Sequence, residues 1–585
     1  MNKKILTGLC LLSCLSCLMT SCNSSGRVSS SSDVSSSSLD SSSSKLDSSS
    51  VSESVHQVSS EDDVDEDAGV LLALAEGKMI FSTTFEDGAM SQFSTRSADD
   101  PTTLAVSEEF ASSGKKSLCA SGRQNEKNGP VLKLEGLCEP NNEYFLNFSV
   151  MQKDRTPVTI GLEYSDTNGN VQTKSLFTTK EGGRWHNVKY LEFDLPDDYK
   201  SGYIYFEGGT SDLFVDNLNL VGFPAPKIEN DIASLSEVFK DAFKLGTSIT
   251  PYDLTSRNTM ALLEKHFSSC ITVGNELKPD YVLDENATAE YYKKTGDDEH
   301  PQISFEMAKP VLEYARVNKI PVRLHTLVWH SQTPTWFFKE GYDPEGEWVT
   351  PKKMNARMKN YIKTYFETIT KLYPDIDFYA CDVVNEAWLE DGRPRIAGDN
   401  KEIEGNSAWV NVYGDNSFIE KAFTYARKYA PAGCKLYYND YNEYMLNKMN
   451  AIVEMATDLK EKGIIDGIGM QSHLDVRQGY NAFPSVDMYN KALDTYSELG
   501  LDIQVTELDA TVPNNSNDQY FEAQAEYYKG IVNAIYDHKD SVSALIFWGI
   551  SDDKSWRSYG QPLLFDRNSI AKPAFYSIIE DRLKQ

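Results

Sequence analysis

Two glutamates close short apolar runs in this chain: Glu386 ends Ala380-Cys381-Asp382-Val383-Val384-Asn385-Glu386, and Glu507 lies in Ile503-Gln504-Val505-Thr506-Glu507-Leu508-Asp509. An apolar, β-branched run that stops at a carboxylate reads as a buried strand delivering a charged group at its C-terminal end. Two carboxylates facing one another across a gap suffice to cleave a glycosidic bond, one giving the proton and the other attacking or activating water. One such strand end carries little weight, because a glutamate there is ordinarily just solvated. Two of them, accompanied by Asn385, Gln471, His473, Asp509 and several tryptophans, point to catalysis.

Carboxylates so far apart in the chain need a scaffold that brings strand ends together. From residue 232 onward, apolar runs alternate with amphipathic stretches, the pattern of βα units. Eight strand candidates occur, at 244–249, 270–277, 321–330, 378–386, 435–442, 467–474, 501–509 and 544–551, with helical stretches such as 354–372 and 515–537 between them. That stoichiometry predicts an α/β fold, a (β/α)8 TIM barrel over 232–585, with chemistry gathered where the strands end. Polar or aromatic residues stand at most of those ends: Asn275 and Lys278; His325, Trp329 and Gln332; Asn439, Tyr441 and Asn442; Gln471 and His473; Trp548. A full ring of them is a cleft.

Upstream, residues 77–223 read as an all-β jelly-roll sandwich, with short alternating runs punctuated by turns such as Asp166-Thr167-Asn168-Gly169-Asn170. Pro224-Ala225-Pro226 marks a linker to the barrel. Residues 1–22 have a signal-peptide layout, Lys3-Lys4 followed by an apolar stretch and then Met19-Thr20-Ser21-Cys22. Small residues before a cysteine resemble a lipoprotein processing site, so Cys22 is the expected lipidated residue and the protein an exported one, held at the cell surface or secreted. Residues 23–70, serine-rich and then acidic, cannot bury apolar surface and are expected to be a disordered spacer.

The 585 residues hold 57 Lys+Arg against 87 Asp+Glu, a formal net charge of −30. Such a surface repels phosphate backbones and excludes nucleic acid as a partner. Five cysteines lie beyond the leader (Cys119, Cys138, Cys270, Cys381 and Cys434) without CxxC spacing, so they read as small buried apolar residues. No metal-ligand cluster and no phosphate-binding loop is visible, so no cofactor is expected in the catalytic site. Membrane association is expected only through the lipid anchor, and the protein is expected to be a monomer.

The ordered strings His325-Thr326-Leu327-Val328-Trp329-His330-Ser331-Gln332, Asp382-Val383-Val384-Asn385-Glu386 and Val505-Thr506-Glu507-Leu508-Asp509 resemble the family 10 glycoside hydrolases, the endo-β-1,4-xylanases. The likeness covers about residues 232–582. It implies a retaining mechanism on xylan and xylo-oligosaccharides, with Glu386 as acid/base, Glu507 as nucleophile and their carboxyl groups ~5–5.5 Å apart. A nucleophile must stay ionised, for which Asp509 and His473 stand near Glu507; an acid must hold its proton near neutral pH, which calls for apolar or like-charged neighbours around Glu386. The likeness also implies that Asn385 donates to a sugar 2-hydroxyl. It assigns Asn275, Lys278, His325, Trp329 and Gln332 to glycone subsites, Gln471 and His473 to the cleaved bond, and Trp548 and Trp556 to the roof of the glycone pocket. Tyr441 and Asn442 fall on the aglycone side, while His330 and Trp336 pack under the loop. Gly274 stands where many relatives carry Glu, and Pro279 where many carry Trp.

Phe85-Glu86-Asp87-Gly88, Gly122-Arg123, Asn128-Gly129-Pro130 and Phe214-Val215-Asp216-Asn217 make the β module similar to carbohydrate-binding modules of families 22 and 4. Arg123, Tyr205 and Glu207 are its candidate ligand contacts, although Lys127 replaces a tryptophan common in xylan binders. Glu86 and Asp216 are candidate oxygen ligands for a structural Ca²⁺. Two other readings stay open: a glycanase of shifted specificity on mixed xylo- and gluco-polymers, and a catalytically silent glycan-capture lipoprotein.

Overall fold

The computed structural model describes residues 60–63, 77–400, 403–514 and 516–584. The expected leader with Cys22, and most of the serine-rich spacer, lie outside the described residues.

In the β module, alternation of apolar and polar residues gives each strand one face to bury, and two sheets close over the core. One sheet orders Ser60–Asp63, His186–Asp194, Asn142–Gln152, Leu213–Pro224, Ser117–Ser121 and Thr103–Ser107, with Lys78–Thr83 also on Leu213–Pro224. The other orders Phe93–Thr95, Pro130–Lys133, Tyr199–Glu207, Thr159–Asp166 and Val171–Thr178. Leu132, Leu146, Phe148, Ile160, Ile204 and Val215 are buried between them. The predicted hairpin at 166–170 forms: Asp166 Oδ1 accepts from the amides of Asn168 and Asn170, both at 2.8 Å, and Gly169 takes φ +85°. Cys119 and Cys138 are free thiols, both buried.

The second domain is a closed parallel barrel. Its strands are β1 (Lys244–Ile249), β2 (Cys270–Val273), β3 (Val322–Leu324), β4 (Ala380–Asn385), β5 (Lys435–Asp440), β6 (Gly467–Met470), β7 (Asp502–Thr511) and β8 (Val542–Phe547). Each pairs in parallel with the next, and β8 pairs with β1 to close the ring. Helices cover the outside. Pro351–Leu372, for example, starts on Thr350, whose hydroxyl accepts from Lys353 N, and buries Met358, Tyr361, Ile362, Tyr365 and Ile369 at helical spacing. The two domains meet where Arg257 pairs with Glu143 and Lys227 N donates to Asn258 Oδ1 at 2.7 Å.

Two expected strands are broken. The run 321–330 splits because Thr326 Oγ1 and Leu327 N both donate to Asp382 O, at 2.9 and 3.0 Å, bending the chain before a short Val328–Trp329 bridge to β4. The run 467–474 breaks at Ser472, whose φ of +62° ends β6 and restarts the chain as a hairpin, His473–Arg477 with Asn481–Phe483.

Inside the barrel lies a polar layer that the apolar runs did not announce. Arg323 on β3 is fully buried, pairs through both terminal nitrogens with Asp382 on β4, and donates from Nε to Gln504 Oε1 at 3.1 Å. Gln504 Nε2 reaches Tyr437 OH at 2.9 Å, and that hydroxyl donates to Asp502 at 2.7 Å. Gly469 on β6 makes room: a Cβ there would sit 3.1 Å from Arg323 Nη2 and 2.3 Å from Asn439 Oδ1. Burying two charges is tolerable only because each satisfies the other. Replacing Arg323 by Met should therefore cost about 3–5 kcal/mol, since Asp382 is left charged in the interior. Urea denaturation of the barrel measures this; a loss below ~1 kcal/mol would show that the pair does not hold the barrel.

Candidate active site

Glu386 and Glu507 come together at the C-terminal mouth of the barrel, each placed by its strand. Glu507 lies within β7 and is 4% exposed. Its Oε1 accepts from Asn439 Nδ2 at 2.8 Å, and its Oε2 stands 3.2 Å from His473 Nε2. The other ring nitrogen, Nδ1, stands 3.1 Å from Asp509 Oδ2. Burial by itself would push the His473 imidazole down, but the carboxylates of Asp509 and Glu507 outweigh it and hold the pKa at about 10. That favours the protonated ring, which faces one carboxylate oxygen from each nitrogen. Burial likewise works to raise Glu507, and the imidazolium together with the Asn439 donor wins, leaving this carboxyl below the ordinary glutamate value. Asp509 is depressed by the same cation and by Arg557, against its own burial. Arg557 Nη1 donates to Asp509 at 2.7 Å and the Trp556 indole N–H at 3.0 Å.

Glu386 follows the last residue of β4 at φ +56°, its N–H donating to Asn439 O at 2.9 Å. Its Oε1 accepts from Gln471 Nε2 at 3.0 Å and Asn385 Nδ2 at 3.2 Å. Arg395, from the loop after β4, donates from Nε to the Glu386 carbonyl and holds Nη2 3.7 Å from Oε2. Of the like-charged or apolar surroundings expected for Glu386, one is present: the buried Asp440 carboxylate at the end of β5 repels it. Two amides and a guanidinium face it, because the β4 and β6 ends and the β4 loop converge on this side chain.

Amides join the two carboxylates. Asn439, fully buried on β5, gives Nδ2 to Asn385 Oδ1 at 2.9 Å as well as to Glu507, and accepts from Thr506 Oγ1 at 2.7 Å. Gln471 Nε2 also donates to Asn385 Oδ1 at 3.1 Å. Ser472 aims Gln471 toward Glu386 and His473 toward Glu507, and its hydroxyl donates to Glu443 Oε1 at 3.0 Å. Burial pushes the Glu443 carboxyl up to about 7.

The remaining predicted residues line one cleft of about 900 Å³: Asn275, Lys278, His325, Trp329, Gln332 and Trp548 on one side of the carboxylates, Tyr441 and Asn442 on the other. Lys278 Nζ donates to Asn275 Oδ1 at 2.9 Å and lies 5.1 Å over the Trp329 ring. Its burial pushes the ammonium down despite the neighbouring carboxylates. His325 Nδ1 stands 2.9 Å from Asp382, and its ring meets Trp548 edge to face at 5.4 Å. Trp329 Nε1 and Gln332 Oε1 have no hydrogen-bond partner among the described residues. His330 also lines the cleft, whereas Trp336 is buried against Phe337 and Tyr342. Arg395 was missed, and Asn439 was noted only as a strand-end residue, without its link between the carboxylates. Asn439 had a signal, being the polar end of an apolar run, but Arg395 sits in a loop with no periodicity to read.

The β-module assignments need correction. Arg123 is buried, donating to the carbonyls of Asn128, Ser211 and Gly208, because a guanidinium can tie three loop backbones at once. Tyr205 is buried too: Gly161 underlies its ring, and the Arg96 guanidinium covers it at 4.2 Å. Glu207 pairs with Arg96, which also holds Glu163 at 2.8 Å. Arg96, unnoticed in the sequence, organises this face. As for Ca²⁺, Glu86 accepts from the amides of Lys115 and Lys116, and Asp216 from those of Ser112, Ser113 and Asn217. Among the described residues no group of three acidic, His or Cys side chains could hold a metal ion. Nor is any helix among them long and apolar enough to cross a membrane.

Comparison with known proteins adds a family. The family described as glycosyl hydrolase family 10 matches residues 234–581, and a carbohydrate binding domain matches 77–213. The chain is 34% identical over 497 residues to endo-1,4-beta-xylanase Y of Acetivibrio thermocellus, covering 82% of this chain and 45% of that protein. It is 42% identical over 342 residues to the bifunctional endo-1,4-beta-xylanase XylA of Ruminococcus flavefaciens, covering 58% and 33%. The chain thus spans less than half the length of these two relatives. Among solved structures, the CBM22-1-GH10 modules of Clostridium thermocellum xylanase 10B complexed with xylohexaose match at 31% identity and a TM-score of 0.56, over 86% of this chain and 97% of that one.

The His473 geometry sets a pH dependence. Its folded pKa of about 10 lies above the ~6.5 of an unfolded histidine, so its ion pairs stabilise fully below ~6.5 and are lost as pH rises through about 10. The urea-stability gap between wild type and His473→Gln should narrow steadily from pH 6 to pH 10. The acid limb of kcat/KM in the variant should move to higher pH, as Glu507 loses its cation. A constant gap with an unmoved limb would show that the ring is neutral.

Proposed function

The chain belongs to glycosyl hydrolase family 10, and on that premise we propose that it hydrolyses β-1,4-xylosidic bonds within xylan chains by a retaining double displacement. Glu507 is the nucleophile and Glu386 the acid/base. The observation that carries this is the amide chain Asn439–Asn385–Gln471, which ties both carboxylates into one hydrogen-bonded unit across the mouth of the cleft.

Glu507, ionised and depressed by the His473 imidazolium, attacks the anomeric carbon while Glu386 gives its proton to the departing oxygen. The carboxylate that Glu386 becomes is then held by the amide hydrogens of Gln471 and Asn385, with Arg395 nearby. It next takes a proton from the water that cleaves the glycosyl–Glu507 ester, which returns both groups to their starting state. The Asn385 amide, lying between them, is placed to bond a sugar 2-hydroxyl as positive charge builds at the ring. A cleft lined on both sides of the carboxylates supports attack in mid-chain.

A shifted specificity is kept as the second reading, because exoglucanase XynX of Acetivibrio thermocellus is 29% identical over 505 residues. The β module is proposed to hold glycan close to the cleft. Export and a lipid anchor at Cys22 are proposed from the leader residues, and Cys22→Ser should release the protein from the membrane fraction into the medium. Protein still bound to membranes would remove the anchor.

Reducing-sugar release from xylan and cellulose, side by side, separates the two readings. Glu386→Ala should lower turnover of plain xylan by about 10²–10⁴, whereas an aryl xyloside with a good leaving group still loads the enzyme and is rescued by azide. Unchanged turnover of plain xylan would remove Glu386 from the mechanism.

A further inference from the structure

The leaving-group half of a bound polymer lies toward Glu386, and so toward the β4 and β5 ends where Tyr441 and Asn442 line the cleft. Its glycone half therefore runs toward the ends of β8, β1 and β2. There the chain carries no side chain at Gly274, the residue before Asn275. The backbone does not demand a glycine, because Gly274 is not in the left-handed region. A Cβ at this position would meet Thr250 Cγ2 at 3.1 Å and Ile249 O at 3.5 Å, so one methyl would have to yield slightly. Anything longer would reach into the cleft, whose lining includes Ser248, Thr250 and Asp253 from the β1 end and Lys554, seated over Tyr252 of the β1 loop.

The charges around that space are uneven. Lys554 is half-buried and its ammonium rests 4.2 Å over the ring of Tyr252, which is 65% exposed. Its acidic neighbours are engaged elsewhere. Asp253 Oδ2 accepts from Thr250 N and Oγ1, both at 2.8 Å, and Asp553 Oδ1 accepts from Ser551 Oγ at 2.8 Å. In a chain of net charge −30, an ammonium facing substrate space without a carboxylate partner favours an anionic group there.

We propose that the space in front of Gly274 is a side chamber for a carboxylate-bearing sugar branch, a hexuronosyl substituent on the backbone xylose held by Asn275 and Lys278, with Lys554 as its cationic contact. This rests on the xylan-cleaving reading and names the decorated substrate that the same cleft takes. A pentose backbone in a cleft without this chamber would have to be bare at that sugar; here the branch has room and a counter-charge.

Three xylo-oligosaccharides of equal backbone length test it on the full chain: plain, hexuronosyl-branched on the glycone side, and the same branch with its carboxyl reduced to an alcohol. The readout is kcat/KM for each branched substrate relative to plain. Gly274→Gln should lower both ratios at least tenfold by filling the space. Lys554→Ala should lower only the charged-branch ratio, about three- to tenfold. Ratios unmoved by Gly274→Gln, or an equal effect of Lys554→Ala on both branches, would overturn the proposal while leaving xylan cleavage standing. No turnover of the plain oligosaccharide by wild type would overturn the xylan reading and this chamber with it.

Discussion

Glu507 and Asp509 alternate on one strand, so both side chains project into the barrel mouth, and both are out of water. Unscreened, two such carboxylates would repel strongly enough that one would take up a proton. The His473 imidazolium between them, 3.2 Å from one and 3.1 Å from the other, removes that outcome. Arg557 adds a second cation on the far side of Asp509. The ionised state of Glu507 is thus a property of four residues from three segments. Their alignment in turn requires the break at Ser472, which turns His473 back toward β7.

Beneath this charge cluster the barrel repeats the same solution one layer down. Arg323 and Asp382 neutralise one another in the interior, and Asp382 also fixes His325, which meets Trp548 at the cleft floor. Gln504, Tyr437 and Asp502 extend the hydrogen bonds toward the other end of the strands. Strand residues that face inward are therefore used in two ways, as structural ion pairs below and as substrate-facing groups above. An apolar lower layer would leave His325 without the Asp382 carboxylate that orients it.

What could be read beforehand follows from these physics. Each apolar run that stops at a polar residue was visible as a strand end, so the eight strands and the residues at their tips, from Asn275 to Trp548, were legible. Arg395 and the linking role of Asn439 were not, because both depend on neighbours distant in sequence. In the β module, Arg123 and Tyr205 were candidate ligand contacts by family likeness, which carries no information on their burial. Backbone carbonyls claimed one, and a glycine and Arg96 covered the other. The interruption at Thr326 was hidden for a related reason: its hydroxyl and the Leu327 amide both bond to Asp382, in another segment.

Trp556 shows how an exposed ring can nevertheless be immobile. It is 63% exposed, yet its indole N–H donates to Asp509 and its ring centroid lies 5.0 Å from that of His473. A tryptophan on an open loop would ordinarily surrender rotamer entropy when a sugar stacked on it, at about 0.5–1.5 kcal/mol. Here that ordering is complete before any ligand arrives. The face is left bare while the rotamer is already chosen, so the aromatic wall behaves as preorganised stone rather than as a lid.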